Sequence, residues 1–457
     1  MMEPLRLWRP RPATLLAVVT TALAARPAAA SPPDTYGIGG RSTALGGAVS
    51  ASATDFSAGY YNPAGLAQAS GVELSFGYKY AGHHLELGGR SSQLDPVREM
   101  VGGVIARGTV GELPVAFGIT AQISTERLSR FRTRRAEEPR WLLYEDRPHL
   151  LYLGFSAAVR PVDWASLGAG LAVLSSTRGR FTITGTVVQP DATGASLDDS
   201  QLRHEVDVDL TPRRIPLFGV TLKPTEAVSV AAVYRGQATV DFDMKGELRG
   251  DVQTVAFTLP AAYEVMSRSA GDFVPRQFVV GVELEALRRL RAELDVAYVN
   301  WAAYESPFAR TESQLTLAAP EGFLDLPPDS EPGALLDPQF EDRVVPRIGV
   351  EYEVGATRDL ALPIRVGYAF EKSPVPEQTG QSNLVDNDRH VMAFGSGLVW
   401  QDPADFIPGE LRFDFVGQWT RLPTRVTLKD NPADYVGDYR AGGDIFAVGA
   451  DLSVGFR

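Results

Sequence analysis

Cysteine is absent from the whole chain, and histidine occurs only five times. No cysteine means no disulfide staple, no thiolate metal site, no cysteine nucleophile and no lipid-modified N-terminal cysteine. The scattered histidines make a histidine-built metal centre an unattractive reading. Basic charge is also scarce, with 44 Lys and Arg against 56 Asp and Glu and a net charge of -12. A nucleic-acid partner is therefore excluded, because counterion release needs a basic surface. Long apolar runs are missing too. After residue 31 no stretch reaches the roughly 18 consecutive apolar residues that mark a membrane helix.

What is present first is an export signal. Arg6, Arg9 and Arg11 precede an uncharged apolar stretch from Pro12 to Ala25, and Ala28–Ala30 supplies small residues for cleavage. Residues 1–30 are expected to be removed as a signal peptide, leaving Ser31 at the mature N-terminus. The run is too short for a span of roughly 20 residues, and Arg26 interrupts it. Loss of four arginines and one glutamate takes the mature chain to a net charge of -15.

Beyond this the dominant pattern is a two-residue alternation punctuated by Gly, Pro, Asp and Asn. Phe446, Val448, Ala450, Leu452, Val454 and Phe456 share one parity, opposed by small or polar residues. Ile348, Val350, Tyr352 and Val354 oppose Arg347, Gly349, Glu351 and Glu353. Fourteen such strands are expected, near 71–81, 99–107, 113–124, 149–160, 165–189, 203–223, 227–244, 275–287, 290–304, 344–356, 361–372, 389–401, 410–425 and 443–457. Long connections, among them 82–98, 125–148, 245–274, 305–343 and 373–388, alternate with short turns. A soluble sandwich has no reason to segregate loops by length, whereas an outer-membrane barrel does. The expected fold is all-β, a 14-stranded antiparallel transmembrane β-barrel spanning residues 71–457.

In a closed barrel every backbone group at membrane depth is paired. The apolar parity then faces lipid, and Glu283, Glu351, Arg412, Asp414 and Asp451 face the lumen. Tyr298, Trp301, Tyr304, Tyr352, Tyr368, Trp400 and Trp419 are expected in an aromatic girdle. Residues 31–70 lack alternation, are rich in small residues, and form a candidate plug for a lumen too wide to be filled by wall side chains alone.

That segment reads Ala44-Leu-Gly-Gly-Ala48, then Asp55-Phe-Ser-Ala58 and Tyr60-Tyr-Asn-Pro-Ala-Gly-Leu66. It resembles the N-terminal hatch of the FadL/TodX family of outer-membrane transporters for long-chain fatty acids and other hydrophobic compounds. The resemblance continues through Arg347–Tyr352, Ile364–Phe370, Ser373–Pro376 and Asp388–His390, and so spans nearly the whole mature chain. One departure is Arg457, which follows Phe456 where many such barrels end on an aromatic residue. The resemblance implies capture of an apolar ligand at the extracellular loops, a pocket inside the barrel, and lateral release beside a kinked third strand. Asp55, Phe56, Asn62, Pro63, Ala64 and Gly65 would then be hatch residues, with Gly118 a place for the bend.

Ligand-contact candidates come from chemistry. The 245–274 loop carries Phe257, Leu259, Tyr263, Met266 and Phe273, a greasy surface that must either pack or bind. Arg178, Arg203 and Arg276, near the loop ends of their strands, are cation candidates for a carboxylate headgroup. The alternative for each is an ordinary lumenal ion pair. Neither catalysis, a metal nor a cofactor is expected: His83 and His84 are adjacent and point apart in a strand, and no Ser–His constellation is recognisable. The expected partners are a fatty acid-like hydrophobic small molecule, outer-membrane lipid and lipopolysaccharide, and the barrel assembly machinery, around a monomer. A scaffold for secretion or surface attachment, and a transporter of aromatic hydrocarbons, are the alternatives.

Overall fold

A computed structural model describes residues 32–69, 71–126, 138–145, 151–188, 201–253, 258–287, 289–304, 310–317, 337–355, 357, 359–403 and 409–456. The expected signal peptide and its cleavage site lie outside the described residues. Fourteen strands form the wall: β1 Val72–Leu87, β2 Val97–Val110, β3 Leu113–Ser124, β4 Tyr152–Val162, β5 Ala165–Val188, β6 Gln201–Thr225 and β7 Val228–Arg235. The second half is β8 Gln277–Leu287, β9 Leu290–Val299, β10 Arg343–Val354, β11 Leu360–Glu371, β12 Arg389–Gln401, β13 Gly409–Thr427 and β14 Tyr439–Phe456. Each pairs antiparallel with the next, and β14 closes on β1 from Val72↔Phe456 to Leu87↔Ala441.

The alternation explains which way the wall faces. Phe76, Phe117 and Phe394 are each more than 60% exposed, and Val104, Leu167, Val280, Leu294, Ile348, Val366 and Val448 join them in a continuous outward band. Leaving a large apolar side chain in water forfeits roughly 1.5–3 kcal/mol, so a band of them calls for lipid. Phe218, Tyr234, Phe278 and Tyr298 lie in one cross-strand row over β6–β9, with Tyr234 and Phe278 rings 5.1 Å apart. Such a row marks the level of a membrane interface. Tyr352, Tyr368, Trp400 and Trp419 also face outward, as expected. Trp301 and Tyr304 do not. The chain leaves β9 at Val299 into a 3-10 turn, Trp301–Ala303, and both rings are buried against Phe340.

The expected loop at 245–274 needs correction as well. It is most of a β-hairpin, Ala238–Gln253 paired with Thr258–Val274, which pairs in parallel with the outer half of β5 and carries a further strand, Arg310–Leu317, on its other edge. The reason is in the sequence: Val240, Phe242 and Met244 alternate with Asp241, Asp243 and Lys245, so the strand period continues past the membrane boundary.

Residues 32–69 lie inside the barrel as three short helices, α1 Pro32–Tyr36, α2 Gly40–Ala44 and α3 Ala58–Tyr61, followed by a 3-10 turn, Pro63–Gln68. Asn62 starts that turn by accepting from Ala64 N, with Pro63 at the first position, where its missing N–H costs nothing. Ile38, Leu45, Val49, Phe56, Tyr60 and Leu66 of this segment are buried in the main apolar cluster.

Candidate functional site

An irregular segment in a lumen has backbone groups that must find partners. Here the lumen-facing parity of the wall supplies them. Asp295 accepts from Val49 N at 3.1 Å, Ser50 N at 3.0 Å and Ser50 Oγ at 2.7 Å, and Glu293 accepts from Ala51 N at 2.6 Å. Asp451 accepts from Gly40 N, and Lys79 donates to Gly37 O. Across the lumen, Thr120 Oγ1 donates to Phe56 O at 2.6 Å, while Asn62 Nδ2 donates to Ser50 O at 2.7 Å and Thr221 Oγ1 at 2.8 Å.

The segment also lies flat on the wall where side chains are missing. A Cβ on Gly219 would sit 2.0 Å from Asn62 Oδ1, and one on Gly367 would sit 2.1 Å from Gly46 N. Gly118 belongs with these positions. Pairing of β3 with β2 and β4 runs through it without a register shift, and a Cβ there would meet Leu66 at 2.9 Å. Gly118 thus marks a close approach of the 3-10 turn, where the sequence suggested a bend.

Among the described residues, chambers lie on either side of the lumenal segment. The one toward the short turns is lined by Arg41, Arg291, Arg365 and Arg412 with Glu351, Glu353 and Glu410. All four arginines are paired. Arg41, from α2, reaches Glu351 at 3.1 Å, Arg365 reaches the same carboxylate at 2.5 Å and Arg291 at 3.6 Å, while Arg365 also pairs with Asp414 and Arg412 with Glu410.

The chamber toward the long loops is lined by Asp34, Thr43, Tyr60, Tyr61, Arg235, Arg347, Glu371, Arg389 and Gln418, among others. Arg389 pairs with Glu371. Arg347, half-buried on β10, has no carboxylate within 4.0 Å among the described residues. Gly47, with φ 76°, lets α2's exit turn pass beside it. A guanidinium with no carboxylate in direct contact has the fork geometry and charge to receive one.

This chamber is capped. Trp141, Leu143 and Tyr144 are buried around a parallel bridge of Arg140–Trp141 with Leu384–Val385. Arg389 donates to Tyr144 Oη at 3.2 Å, and Ser373 Oγ donates to Asp386 Oδ2 at 2.8 Å. Burial pushes the Asp386 carboxyl up to about 6, against the opposing pull of Arg389, and pushes the Tyr144 hydroxyl up to about 12.

The residues singled out from sequence fall in several places. Asp55 accepts from Ser57 N at 2.9 Å, Phe56 is buried, and Pro63, Ala64 and Gly65 are buried in the 3-10 turn. Phe257 lies outside the described residues. Leu259, Tyr263 and Met266 are on the second strand of the outer hairpin, and Phe273 stacks on Tyr304 at 4.5 Å. Arg178 and Arg203 sit on the outer halves of β5 and β6, and Arg276, 3% exposed, donates to Gln237 Oε1 at 3.4 Å. Arg203 and Arg276 line neither of these chambers, and the side chain of Arg178 lies outside the described residues. Sequence reasoning missed Arg235, Arg347 and Arg389 as ligand candidates. A signal existed for Arg347, which shares the lumen parity with Glu351. His83 lies inward, its Nε2 2.6 Å from Tyr36 Oη and its Nδ1 2.9 Å from Asp95 O; His84 is on the opposite parity.

Residues 155–407, more than half the chain, match the family described as outer membrane protein transport protein (OMPP1/FadL/TodX). The chain belongs to this family. It is therefore an outer-membrane transporter of hydrophobic compounds, and its relatives are transport proteins. Alkane uptake protein A of Marinobacter nauticus is 22% identical over 421 residues, covering 88% of this chain and 86% of that protein. A Pseudomonas aeruginosa FadL homologue of known structure has a TM-score of 0.54 at 15% identity, covering 94% of this chain and 99% of that one. The Pseudomonas putida toluene transporter TodX gives 0.53 at 14%, covering 92% and 99%. At these identities the structures share the FadL/TodX barrel with this chain, and the lining residues of this chain are its own.

Proposed function

We propose that this FadL/TodX barrel passively takes up apolar molecules that carry a carboxylate, fatty acids being the simplest. The observation that carries this reading is Arg347, a cation without a carboxylate partner among the described residues, in the chamber on the long-loop side. The outer hairpin with Met266 and the Phe273–Tyr304 stack is the first surface such a molecule meets. Residues 32–69 act as a hatch, with Asn62-Pro-Ala-Gly65 as the turn that must shift. The inner chamber, lined by four arginines and three glutamates, is a poor path for a hydrocarbon chain. That favours exit sideways into the bilayer. The closed wall leaves no unpaired edge at membrane depth and supports a monomer in lipid and lipopolysaccharide, inserted by the barrel assembly machinery.

The names of the alkane uptake protein and the toluene transporter favour a second reading, in which the cargo is a neutral hydrocarbon. Uptake of labelled dodecanoate and dodecane in cells lacking their own transporter separates the two. Arg347→Gln should lower dodecanoate uptake about tenfold, the scale of a lost hydrogen bond to a charge, and leave dodecane uptake unchanged. Equal effects on both, or none on either, would sink the carboxylate reading.

A further inference from the structure

The outer chamber already contains a carboxylate in a carboxylate's place. Asp34, on α1, accepts from Tyr60 Oη at one oxygen and from Gln277 Nε2 at the other, at 2.9 Å. Arg235 NH1 lies 4.0 Å away, and Asp34 is its only carboxylate within that range among the described residues. The donors are prearranged by the wall and by α3. Arg235 donates to Tyr60 O at 3.0 Å, to Tyr61 O at 3.3 Å and to Gln277 Oε1 at 2.6 Å, and its guanidinium lies over the Tyr60 ring at 4.5 Å. Those contacts of Arg235 are made without Asp34. Asp34 itself arrives on a five-residue helix held at its far end by the Tyr36–His83 contact. Asp34, Tyr60 and Arg235 all line the chamber that Arg347 shares. Three arginines line it together with two carboxylates, Asp34 and Glu371.

We propose that Asp34 is an internal stand-in for the substrate's headgroup: the Tyr60–Gln277–Arg235 site takes an apolar carboxylate, whose arrival displaces Asp34 and frees α1. This rests on the carboxylate reading above and adds to it a site and a coupling. One carboxylate replaces another, so the charge on Arg235 stays balanced throughout. Arg347 supplies the first hold on the incoming headgroup, and the exchange at Arg235 turns binding into movement of the hatch at its N-terminal end. The donors gain a ligand only at the expense of Asp34, so the native affinity is lower than the site alone would give.

The distinguishing expectation is that removing a buried acid tightens binding. Titration of dodecanoate into purified protein in lipid nanodiscs should give a Kd about tenfold lower for Asp34→Ala than for the natural chain, with dodecane affinity unchanged. A heat-modifiable band on a gel checks that the variant is folded. Because the chain lacks cysteine, a single nitroxide on Thr35→Cys reports α1 directly. Dodecanoate should sharpen its spectrum and dodecane should not, which keeps the proposal testable even where the alanine variant fails to assemble. Equal dodecanoate affinities, weaker binding by Asp34→Ala, or an α1 label that stays immobile would overturn the proposal while the carboxylate reading stands. Absence of dodecanoate binding by either protein would remove both.

Discussion

The two chambers hold the same residue types in different arrangements. In the inner one Glu351 is shared by Arg41, Arg365 and Arg291, and Arg41 belongs to the lumenal segment. In the outer one Arg347 has no carboxylate partner among the described residues, and Arg235 is served by an acid on a short helix. Guanidinium and carboxylate buried together in a network lock parts in place, since removing one partner strands the others. A guanidinium without a carboxylate in contact, or paired with one on a short helix, is the kind that the proposed function uses for recognition. On the proposed reading, locking lies on the short-turn side of residues 32–69 and recognition on the long-loop side.

The largest effect is expected from breaking the lock. Glu351→Gln leaves three arginines without their shared carboxylate, and loss of one partner from a buried pair costs roughly 3–5 kcal/mol. The barrel, held by its own ladders, should persist while the hatch loosens. Entry of a small hydrophilic dye into liposomes carrying the variant would show this, and an unchanged dye barrier would argue against locking. Asp295→Asn should act more mildly. It weakens the acceptor of Val49 N, Ser50 N and Ser50 Oγ, at roughly 1–3 kcal/mol for a buried group left unsatisfied. Faster reaction of a thiol placed at Ser52 is the measurement.

The cap should respond to pH, with the smallest effect. Burial raises the Asp386 carboxyl in the folded cap to about 6, from an ordinary value of 3.8. A raised acid favours the folded cap only while protonated, so that contribution is full below about 3.8 and disappears as pH rises through about 6. Amide exchange at Leu142–Tyr144 should therefore be faster at about pH 7.5 than at about pH 5, on either side of that transition. Asp386→Asn should flatten the difference; exchange that slows with rising pH, after correction for the intrinsic rate, would contradict the assignment.

The wall was legible in the sequence because lipid on one side and water on the other force every strand into the same two-residue code. The outer hairpin was not, because above the membrane that code carries charged residues on its polar parity and reads as a loop. Trp301 and Tyr304 misled for a related reason: aromatic residues near a strand end suit either an interface or a loop cluster, and only the turn after Val299 decides. Gly118 announced a missing side chain, but its use depended on Leu66, about fifty residues earlier in the chain. The chamber arginines were hardest. Parity puts Arg347 and Glu351 on one face, yet which guanidinium ends up paired depends on residues from other strands and the hatch.

Residues 32–69 in the lumen, with the Trp141–Tyr144 cap beyond them, give this wide barrel one further property. A lumen occupied by a buried segment is a poor path for ions, so reconstituted protein should pass almost no current in a planar bilayer. A cell can then carry many copies to gather a scarce greasy nutrient without lowering its defence against small polar poisons.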